Sequence, residues 1–309
     1  MQGQGSEAAL TLLSAAVIDR LLGEPHPPWH PVVWMGKALS LSGAPWPHAS
    51  PRVAFLRGAG AWLFLAAITA MTAIVIQSLI DRFELSAAPL LTLTLRALMM
   101  GFILKPCLAW RMLRQEVLDV EHALAEGLDQ GRRRLSRIVG RDTAELSPTV
   151  IRESALESLA ENLNDSWVAP LFWFVVAGLP GAALYRFANT ADAMWGTRGA
   201  FEWAGKWAAR LDDVLSYIPA RLTAGLLALM TPRSPSGLRG IASVTASPNG
   251  GWPMGMMALA LKVRLSRPGY YVLNAAGRAV EGVDVFRGIK IASRVAFTAL
   301  MLAALLVMV

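Results

Sequence analysis

Residues 58–80 form an apolar run without a charged side chain, and no other feature of the sequence constrains the fold as strongly. The run reaches the roughly 20 residues that a helix needs to cross a bilayer. The whole chain of 309 residues is 54% hydrophobic and only 17% charged, whereas soluble domains carry about 25% charged residues. Because so few charges cannot cover a water-exposed surface of this size, the sequence predicts an integral membrane protein.

Three further apolar stretches are candidate spans. Residues 87–104 are interrupted only by Arg96, and residues 291–309 contain only one charged residue, Arg294. The N-terminal run at residues 8–18 is shorter. It therefore predicts either a marginal span or a helix packed against other helices.

Two other apolar runs are interrupted in a way that predicts broken helices. Residues 167–188 contain Gly-Leu-Pro-Gly at positions 178–181, and residues 214–230 contain Pro219 and Arg221. Proline lacks the backbone donor that a helix interior requires, and glycine tolerates turns. Irregular backbone at membrane depth is stable only where it is buried in protein or lines a wet cavity. The two runs either both cross the membrane or are both re-entrant, and we expect re-entrant or cavity-lining elements.

The distribution of basic residues indicates the orientation. Residues 132–141 read RRRLSRIVGR, a block that the positive-inside rule places in the cytoplasm, and Arg278, Arg287 and Lys290 place the segment before the last span there as well. The chain must then cross the membrane an even number of times between these regions. The net charge of +7 is explained by this bias and by contact with an anionic leaflet, so we expect no nucleic-acid partner.

Together these patterns predict an all-α, polytopic membrane protein with broken or re-entrant helices. We expect a single membrane-embedded domain over residues 1–309, with residues 105–166 as a cytoplasmic helical segment within it. A buried helix face in this segment is predicted by four apolar residues at helical spacing, Leu113, Val117, Val120 and Leu124. Gly127 and Gly131 are expected to end that helix, and Ser147 followed by Pro148 predicts the start of another. No run predicts a β-strand.

The helix that begins at Ser147 carries an unusual acidic stripe. Glu153, Glu157, Glu161 and Asp165 follow one another at steps of four residues, which stack side chains on one helix face. Like charges at this spacing repel each other. One interpretation is a solvated acidic face on an ordinary amphipathic helix. The other is a functional cluster at the membrane boundary that binds Mg²⁺ or supplies a general base.

Three further groups of polar residues are candidates for chemistry. Residues 189–198 read NTADAMWGTR, and residues 210–213 read RLDD. Arg221 lies inside an apolar run, where an ionisable side chain indicates function, although an ion pair with Asp212 or Asp213 would also explain it. Residues 247–252 (SPNGGW) predict a turn-rich loop whose amides could cradle an anion.

In combination, these motifs resemble those of the adenosylcobinamide-phosphate synthases, the CbiB/CobD family of cobalamin biosynthesis. The resemblance begins with DRLLGEP at residues 19–25, followed by His30-Pro31 and Met35-Gly36, and it continues through ESLAEN at residues 157–162. It extends through the three groups just described to Tyr270-Tyr271, and so covers nearly the whole chain in order. Two departures are Thr197, where the family often has tyrosine, and residues 265–267, which replace a glycine-rich stretch.

The resemblance implies a multi-pass enzyme of the bacterial cytoplasmic membrane whose active site faces the cytoplasm. Such an enzyme joins cobyric acid, usually adenosylated, to aminopropanol phosphate or aminopropanol in an ATP-dependent amide synthesis. ATP and Mg²⁺ are the implied cofactors. Other late cobalamin-pathway membrane enzymes are potential partners, alongside the bilayer itself.

The chemistry of this reaction suggests roles for the residues in the matching motifs. Mg²⁺ that bridges phosphates suits four carboxylates, Glu161, Asp165, Asp212 and Asp213. Glu157, Glu161 and Asn162 are the predicted catalytic residues, with Glu157 as the base that deprotonates the amine. The predicted substrate-binding residues are Asn189, Asp192, Arg198, Arg210, Arg221 and Asn249.

Two other classes of protein share some of these features. A transporter would also have broken helices and an intramembrane arginine, but the chain contains no repeated halves. A sensor or assembly protein of the same fold would be expected to lack the acidic residues, which are present here. The sequence leaves open which amine is used and whether the corrinoid must be adenosylated.

Overall fold

The computed structural model describes residues 2–43, 49–196, 199, 201–232 and 234–309. The described chain is almost entirely helical, which confirms the predicted all-α class. The described residues form twelve α-helices: α1 Gln2–Leu22, α2 Pro31–Gly43, α3 Pro51–Asp81, α4 Pro89–Leu104, α5 Trp110–Glu126, α6 Leu128–Leu135, α7 Pro148–Leu163, α8 Ala169–Trp195, α9 Lys206–Leu229, α10 Leu238–Ala242, α11 Gly251–Leu261 and α12 Gly282–Leu306. Short 3₁₀ turns occupy Pro27–Trp29 and Lys105–Cys107, and a π-helical turn at Asn164–Val168 joins α7 to α8.

Four helical stretches in the described residues are long and apolar enough to cross a membrane. They are Pro51–Asp81, Pro89–Glu126, Pro148–Trp195 and Gly282–Leu306. These stretches contain the predicted spans at residues 58–80 and 87–104 and most of the one at residues 291–309. Neither α1 nor α9 is among them. The helix break expected in residues 214–230 was wrong, because α9 continues through Pro219 from Lys206 to Leu229. The re-entrant arrangement of the two runs stays a prediction.

The break predicted at positions 178–181 is confirmed inside α8. Ala177 and Gly178 leave helical geometry, and Gly178 has a positive φ of 63°. A Cβ at this position would lie 2.7 Å from the Gln77 side-chain oxygen. That oxygen accepts a hydrogen bond of 3.0 Å from the Leu179 backbone N–H, which the break has freed. Glycine is therefore needed here both for its backbone conformation and for the close approach of α3.

The local sequence signals in residues 105–166 mostly predicted the structure correctly. The four apolar residues on α5 are buried, and the Ser147 hydroxyl caps α7 by accepting a hydrogen bond from Val150 N–H. Gly127 follows the end of α5 as expected, but Gly131 lies inside α6 and ends no helix. Its Cβ would collide with the side chain of Leu124, so a close approach between α5 and α6 explains this glycine.

The structure contains a short β-hairpin that the sequence analysis did not identify. Leu265–Arg267 (β1) and Tyr271–Leu273 (β2) form an antiparallel hairpin in which Ser266 is opposite Val272. Each strand has only three residues, which is too short for an alternating pattern to be recognisable in the sequence.

Contacts divide the chain into two compact units. Unit 1 contains Met1–Ala109, Asp165–Leu215 and Leu300–Val309, and its core includes Trp62 of α3 packed on Phe187 of α8. Unit 2 contains Trp110–Asn164 and Ser216–Ala299, and its central helix α7 packs against α5, α6, α11 and β1. The prediction of one domain over residues 1–309, with 105–166 in the cytoplasm, stays a prediction.

Candidate active site

The acidic stripe on α7 is mostly buried. Glu153 is fully buried and Glu157 is only 4% exposed, whereas Glu161 is exposed. The apolar face formed by Ile151 and its neighbours is buried too, so α7 is enclosed on both sides within unit 2. The interpretation of the stripe as a solvated acidic face is therefore wrong for its first two members. Burying two carboxylates on neighbouring turns is costly unless each has a partner.

The partner of Glu157 is Arg141, which the sequence analysis treated only as part of the basic block at residues 132–141. One guanidinium nitrogen, Nη2, donates to Glu157 Oε2 at 3.0 Å and to the Ser154 hydroxyl at 2.5 Å. The Nε and Nη1 groups of Arg141 are buried and donate to no other described residue. Arg141 thus holds Glu157 in place and keeps two further donors at the same position.

Tyr271 of β2 lies close to Glu157 and Glu161. Burial, and after it the negative charges of Glu157 and Glu161, raise the pKa of the Tyr271 hydroxyl well above its usual range. The hydroxyl therefore stays protonated at neutral pH and can donate a hydrogen bond. The hairpin that the sequence did not reveal is thus the element that brings this donor to the acidic helix.

Glu153 has a different environment from the glutamates that follow it. It accepts a short hydrogen bond from the Ser266 hydroxyl of β1, and Arg264 Nε lies 3.7 Å from its other carboxylate oxygen. Because Glu153 is fully buried and connects α7 to the hairpin, its contacts are those of a structural residue.

The loop at residues 247–252 is a closed turn beside Glu161. The Ser247 hydroxyl accepts hydrogen bonds from the backbone N–H groups of Asn249 and Gly250, at 3.2 and 3.3 Å. These two amides are therefore engaged within the loop, and the expected anion cradle is not formed by them. A Cβ on Gly250 would lie 3.0 Å from Glu161 Oε1, so glycine lets the loop approach the acidic helix.

Arg221 of α9 is held by neutral groups. Its Nη1 donates to Asn249 Oδ1 at 2.9 Å and to the Tyr217 carbonyl at 2.7 Å, and its Nη2 donates to the Pro248 carbonyl at 3.2 Å. The guanidinium lies 3.5 Å from the centre of the Tyr217 ring and 4.8 Å from that of Trp252. Arg221 forms no ion pair with any residue in the described part of the chain. The alternative explanation, an ion pair with Asp212 or Asp213, is therefore wrong.

Unit 2 thus brings a continuous set of candidate residues together. One part of this set consists of Arg141, Glu157, Tyr271 and Glu161. The Ser247–Gly250 loop continues the set from Glu161 to Arg221. Two cations, two carboxylates and a phenolic donor are the groups that phosphoryl and acyl transfer require.

Unit 1 contains a second acidic cluster, formed by the predicted metal-binding residues Asp165, Asp212 and Asp213 together with Asp192. Burial, and after it the charges of Asp165 and Asp192, raise the pKa of Asp212 to about 8. The Asn189 side chain hydrogen-bonds to Asp212, and the Tyr185 hydroxyl donates to Asp165 Oδ1 at 3.3 Å. Carboxylates that repel each other in this way are stabilised by a divalent cation.

The cluster would hold Mg²⁺ only together with further ligands. No three His, Cys, Asp or Glu side chains of the described residues converge closely enough to hold a metal ion alone. Mg²⁺ in nucleotide enzymes, however, is commonly held by one or two carboxylates plus substrate phosphates and water. The aspartates of unit 1 suit that coordination. Glu161, the fourth predicted metal ligand, belongs to the group in unit 2.

The raised pKa of Asp212 predicts a pH-dependent stability. Its folded-state pKa of about 8 exceeds the ordinary value near 4, so the protonated carboxyl stabilises the fold. This contribution is complete below about pH 4 and is lost as the pH rises through about 8, by up to about 1.4 kcal/mol per pH unit. We therefore expect the thermal midpoint of the cation-free protein to fall between pH 6 and pH 9.

Added Mg²⁺ requires the ionised carboxylates, so it should stabilise the protein more at pH 9 than at pH 6. Thermal unfolding at both pH values, with and without Mg²⁺, measures the two effects. Asp212→Asn should reduce both the fall of the thermal midpoint with pH and the stabilisation by Mg²⁺. Asp142→Asn, on an exposed loop of unit 2, should change neither quantity. An identical pH profile for the wild type and Asp212→Asn would contradict the assignment.

Three further predicted site residues are Asn162, Arg210 and Arg198. Asn162 donates to the Ser158 carbonyl and hydroxyl on the preceding turn, at 3.0 and 3.2 Å, so its amide donors are used within its own helix. Arg210 is exposed on α9. Arg198 lies outside the described residues.

A buried ion cluster in unit 1 was missed by the sequence analysis. Lys105 is only 2% exposed, and its ammonium lies 2.7 Å from Glu24 and 3.5 Å from Asp19. His30 Nε2 lies 2.9 Å from the other Glu24 oxygen. Burial opposes the ionisation of Glu24, but the His30 and Lys105 contacts outweigh it and lower its pKa. The cluster borders a largely apolar cavity of about 750 Å³.

Comparisons with known proteins decide the family. The model of the family described as CobD/Cbib protein matches residues 12–296. The chain belongs to the CobD/Cbib family. It is 37% identical to the cobalamin biosynthesis protein CobD of Brucella anthropi over 302 residues, with 90% of each chain covered. A probable cobalamin biosynthesis protein CobD from Pyrococcus abyssi is 38% identical over 285 residues, with 91% of each chain covered.

A third relative, from Methanothermobacter thermautotrophicus, also described as a probable cobalamin biosynthesis protein CobD, is 36% identical and covers 93% of this chain and 94% of its own. No solved structure gives a significant match. Membership of the CobD/Cbib family confirms the resemblance drawn from the motifs.

The family motifs fall on the two groups of residues described above. The ESLAEN motif at residues 157–162 supplies Glu157 and Glu161 to the group in unit 2, and the RLDD motif at 210–213 supplies two aspartates to the cluster in unit 1. The opening motif at residues 19–25 supplies both carboxylates of the Lys105 cluster. Arg141 and Lys105 carry no comparable signal, because single basic residues in a basic block or after an apolar run are explained by the positive-inside bias alone.

Proposed function

We propose that this CobD/Cbib family member acts in cobalamin biosynthesis as an ATP-dependent ligase. In this proposal it joins the propionate carboxyl of cobyric acid, or its adenosylated form, to the amine of aminopropanol phosphate or aminopropanol. The observation that carries the proposal is the buried Glu157, paired with Arg141 and next to Tyr271, with the exposed Glu161 one turn further along α7. A passive anchor has no need of two glutamates and two positioned arginines at this point.

The first step of such a reaction activates the carboxylate. A carboxylate oxygen of the corrinoid attacks the γ-phosphorus of ATP, an acyl phosphate forms, and ADP leaves. Negative charge accumulates on the phosphoryl oxygens, and guanidinium groups stabilise it. Arg221 is suited to this role because its own hydrogen-bond acceptors are neutral and leave its charge uncompensated.

The second step forms the amide. The amine must first lose a proton, and we assign its acceptance to Glu157, with Glu161 close by on the next turn. The neutral amine then attacks the acyl carbon, the C–N bond forms, and inorganic phosphate leaves. The Tyr271 hydroxyl stays protonated and can stabilise the developing oxyanion. Such acid–base assistance typically contributes about 10² to 10⁴ in rate.

The aspartates of unit 1 are the groups that would hold Mg²⁺ in this scheme. Mg²⁺ held there would supply a positive charge that can neutralise phosphate oxygens. Asp165, Asp212 and Asp213 supply the carboxylate oxygens, and Asn189 orients Asp212. Asp192 adds to the negative potential that attracts the cation.

A transporter remains the alternative from another class. The break at Gly178 and the buried ions of unit 1 are compatible with it. Transport, however, requires no general base beside a phenolic donor, so the group around Glu157 favours an enzyme. A silent sensor or assembly protein is disfavoured for the same reason.

The deciding experiment uses purified full-length protein in detergent with cobyric acid, aminopropanol phosphate and Mg-ATP, followed by mass analysis. We expect the amide product and ADP in equal amounts, and no product when ATP is omitted. Parallel reactions with adenosylcobyric acid and with aminopropanol identify the preferred substrates. Failure of every substrate pair to give an amide, with folded protein, would reject the ligase.

The proposed function also implies where the protein is located in the cell. Four helices long and apolar enough to span a bilayer make it a multi-pass membrane protein. We propose that it resides in the bacterial cytoplasmic membrane with the site facing the cytoplasm, where ATP is available. Other late membrane enzymes of the pathway are its proposed partners.

A further inference from the structure

Unit 2 contains an open cavity that the proposed chemistry does not use. Its volume is about 600 Å³, and it lies between α5 and α12, with part of its wall from the end of α9. None of its lining residues belongs to the candidate site, and none of them is acidic. The residues that matter for its ligand are Arg114, Lys290, Ser293, Arg294, Phe286 and Phe297.

Three cations converge on this cavity without a protein counter-ion. Arg114, Lys290 and Arg294 are exposed and form no ion pair with any residue in the described ranges. Lys290 and Arg294 are four residues apart on one face of α12, where like charges repel. Nearby basic residues differ, since Arg278 and Arg287 are both paired with Asp284, at 2.6 and 3.6 Å. The charge around the cavity is therefore suited to an anionic ligand.

Apart from the hydroxyl groups of Ser293 and Thr298, the rest of the wall is apolar. Phe286 and Phe297 lie about three turns apart on the same face of α12, on either side of the two cations. After Arg294 the chain contains no further charged residue up to its last position. The cations thus lie where α12 becomes continuously apolar, which is the expected level of lipid headgroups.

We propose that this cavity binds the headgroup of an acidic phospholipid. The phosphate would lie among Arg114, Lys290 and Arg294 with Ser293 as an additional donor, and the acyl chains would follow the apolar wall. A soluble phosphate compound would match the charges but not the phenylalanines, which are exposed and gain only from contact with hydrocarbon. Basic pockets between membrane helices are suited to such headgroups.

The test compares phosphatidylglycerol with phosphatidylcholine of identical chains, added to the purified full-length protein and counted by native mass spectrometry. We expect at least about tenfold tighter binding of phosphatidylglycerol to the wild type. Lys290→Gln combined with Arg294→Gln should abolish that preference, since two charges near a headgroup correspond to roughly thirtyfold in affinity. Arg114→Gln, on a different helix, should reduce it several-fold.

Two controls separate this site from general electrostatics and from a soluble ligand. Arg133→Gln combined with Arg137→Gln removes the same charge from exposed positions outside the cavity and should leave the preference intact. Millimolar inorganic phosphate should not displace the lipid. Equal binding of both lipids, equal loss in the control variant, or displacement by phosphate would each overturn the proposal. Because no substrate is present, the result is independent of the proposed ligase activity.

Discussion

Replacing Glu157 with glutamine should lower the rate of amide formation at least about a hundredfold, the scale expected when acid–base catalysis is lost. The substitution keeps the size of the side chain but removes its negative charge. Arg141 would then lose its ionic partner at 3.0 Å while keeping an acceptor. Single-turnover product formation measures the chemical step, and thermal unfolding measured in parallel shows how far stability contributes. Glu161→Gln should lower the rate of amide formation by a similar factor.

Glu153→Gln is the matched control, one turn earlier on the same helix. Because Glu153 is fully buried and contacts Ser266 and Arg264, it cannot touch a substrate. Its replacement should lower the unfolding free energy but reduce the rate of the folded protein less than about tenfold. Similar losses of activity at all three glutamates, after correction for the folded fraction, would show that the stripe is structural throughout.

Replacing Arg221 with methionine should leave a folded protein that no longer gains stability from ATP or corrinoid. The side chain loses hydrogen bonds to neutral acceptors and its contact with the Tyr217 ring, which costs about 1–2 kcal/mol. Among the described residues, no carboxylate loses an ion-pair partner through this change. A substrate anion, in contrast, would lose a charge-assisted partner, so its affinity for the protein should fall by about tenfold to a hundredfold. Ligand-induced shifts in the thermal midpoint measure this loss.

Two variants make this result specific to the position. Arg221→Lys keeps the charge but not the planar group between the two rings, so its affinity should be intermediate. Arg239→Met removes an exposed arginine of α10 in the same unit and should have no effect. If Arg221→Met gives no folded protein and Asp212→Asn or Asp213→Asn restores it, Arg221 is a member of a structural ion pair.

Sequence alone was sufficient wherever the cause is local. A charge-free run such as residues 58–80 must be a helix in lipid, because every backbone group has to be satisfied within the segment. The break in α8 and the cap at Ser147 follow from the backbone preferences of glycine and proline and from the reach of a serine hydroxyl. The order of the motifs was also sufficient to indicate the family, which the comparisons confirmed.

Only the tertiary structure decided which charges are buried and what they contact. Glu153 and Glu157 look alike in the sequence, yet one is bound by the hairpin and the other by Arg141, 16 positions away. Lys105 and its partners Glu24 and Asp19 are separated by more than 80 positions. The free energy of a buried charge depends on partners that packing supplies, and these partners leave no periodic pattern near the charge itself. The sequence therefore determined the class, the family and the candidate residues, whereas packing determined which of them form a site.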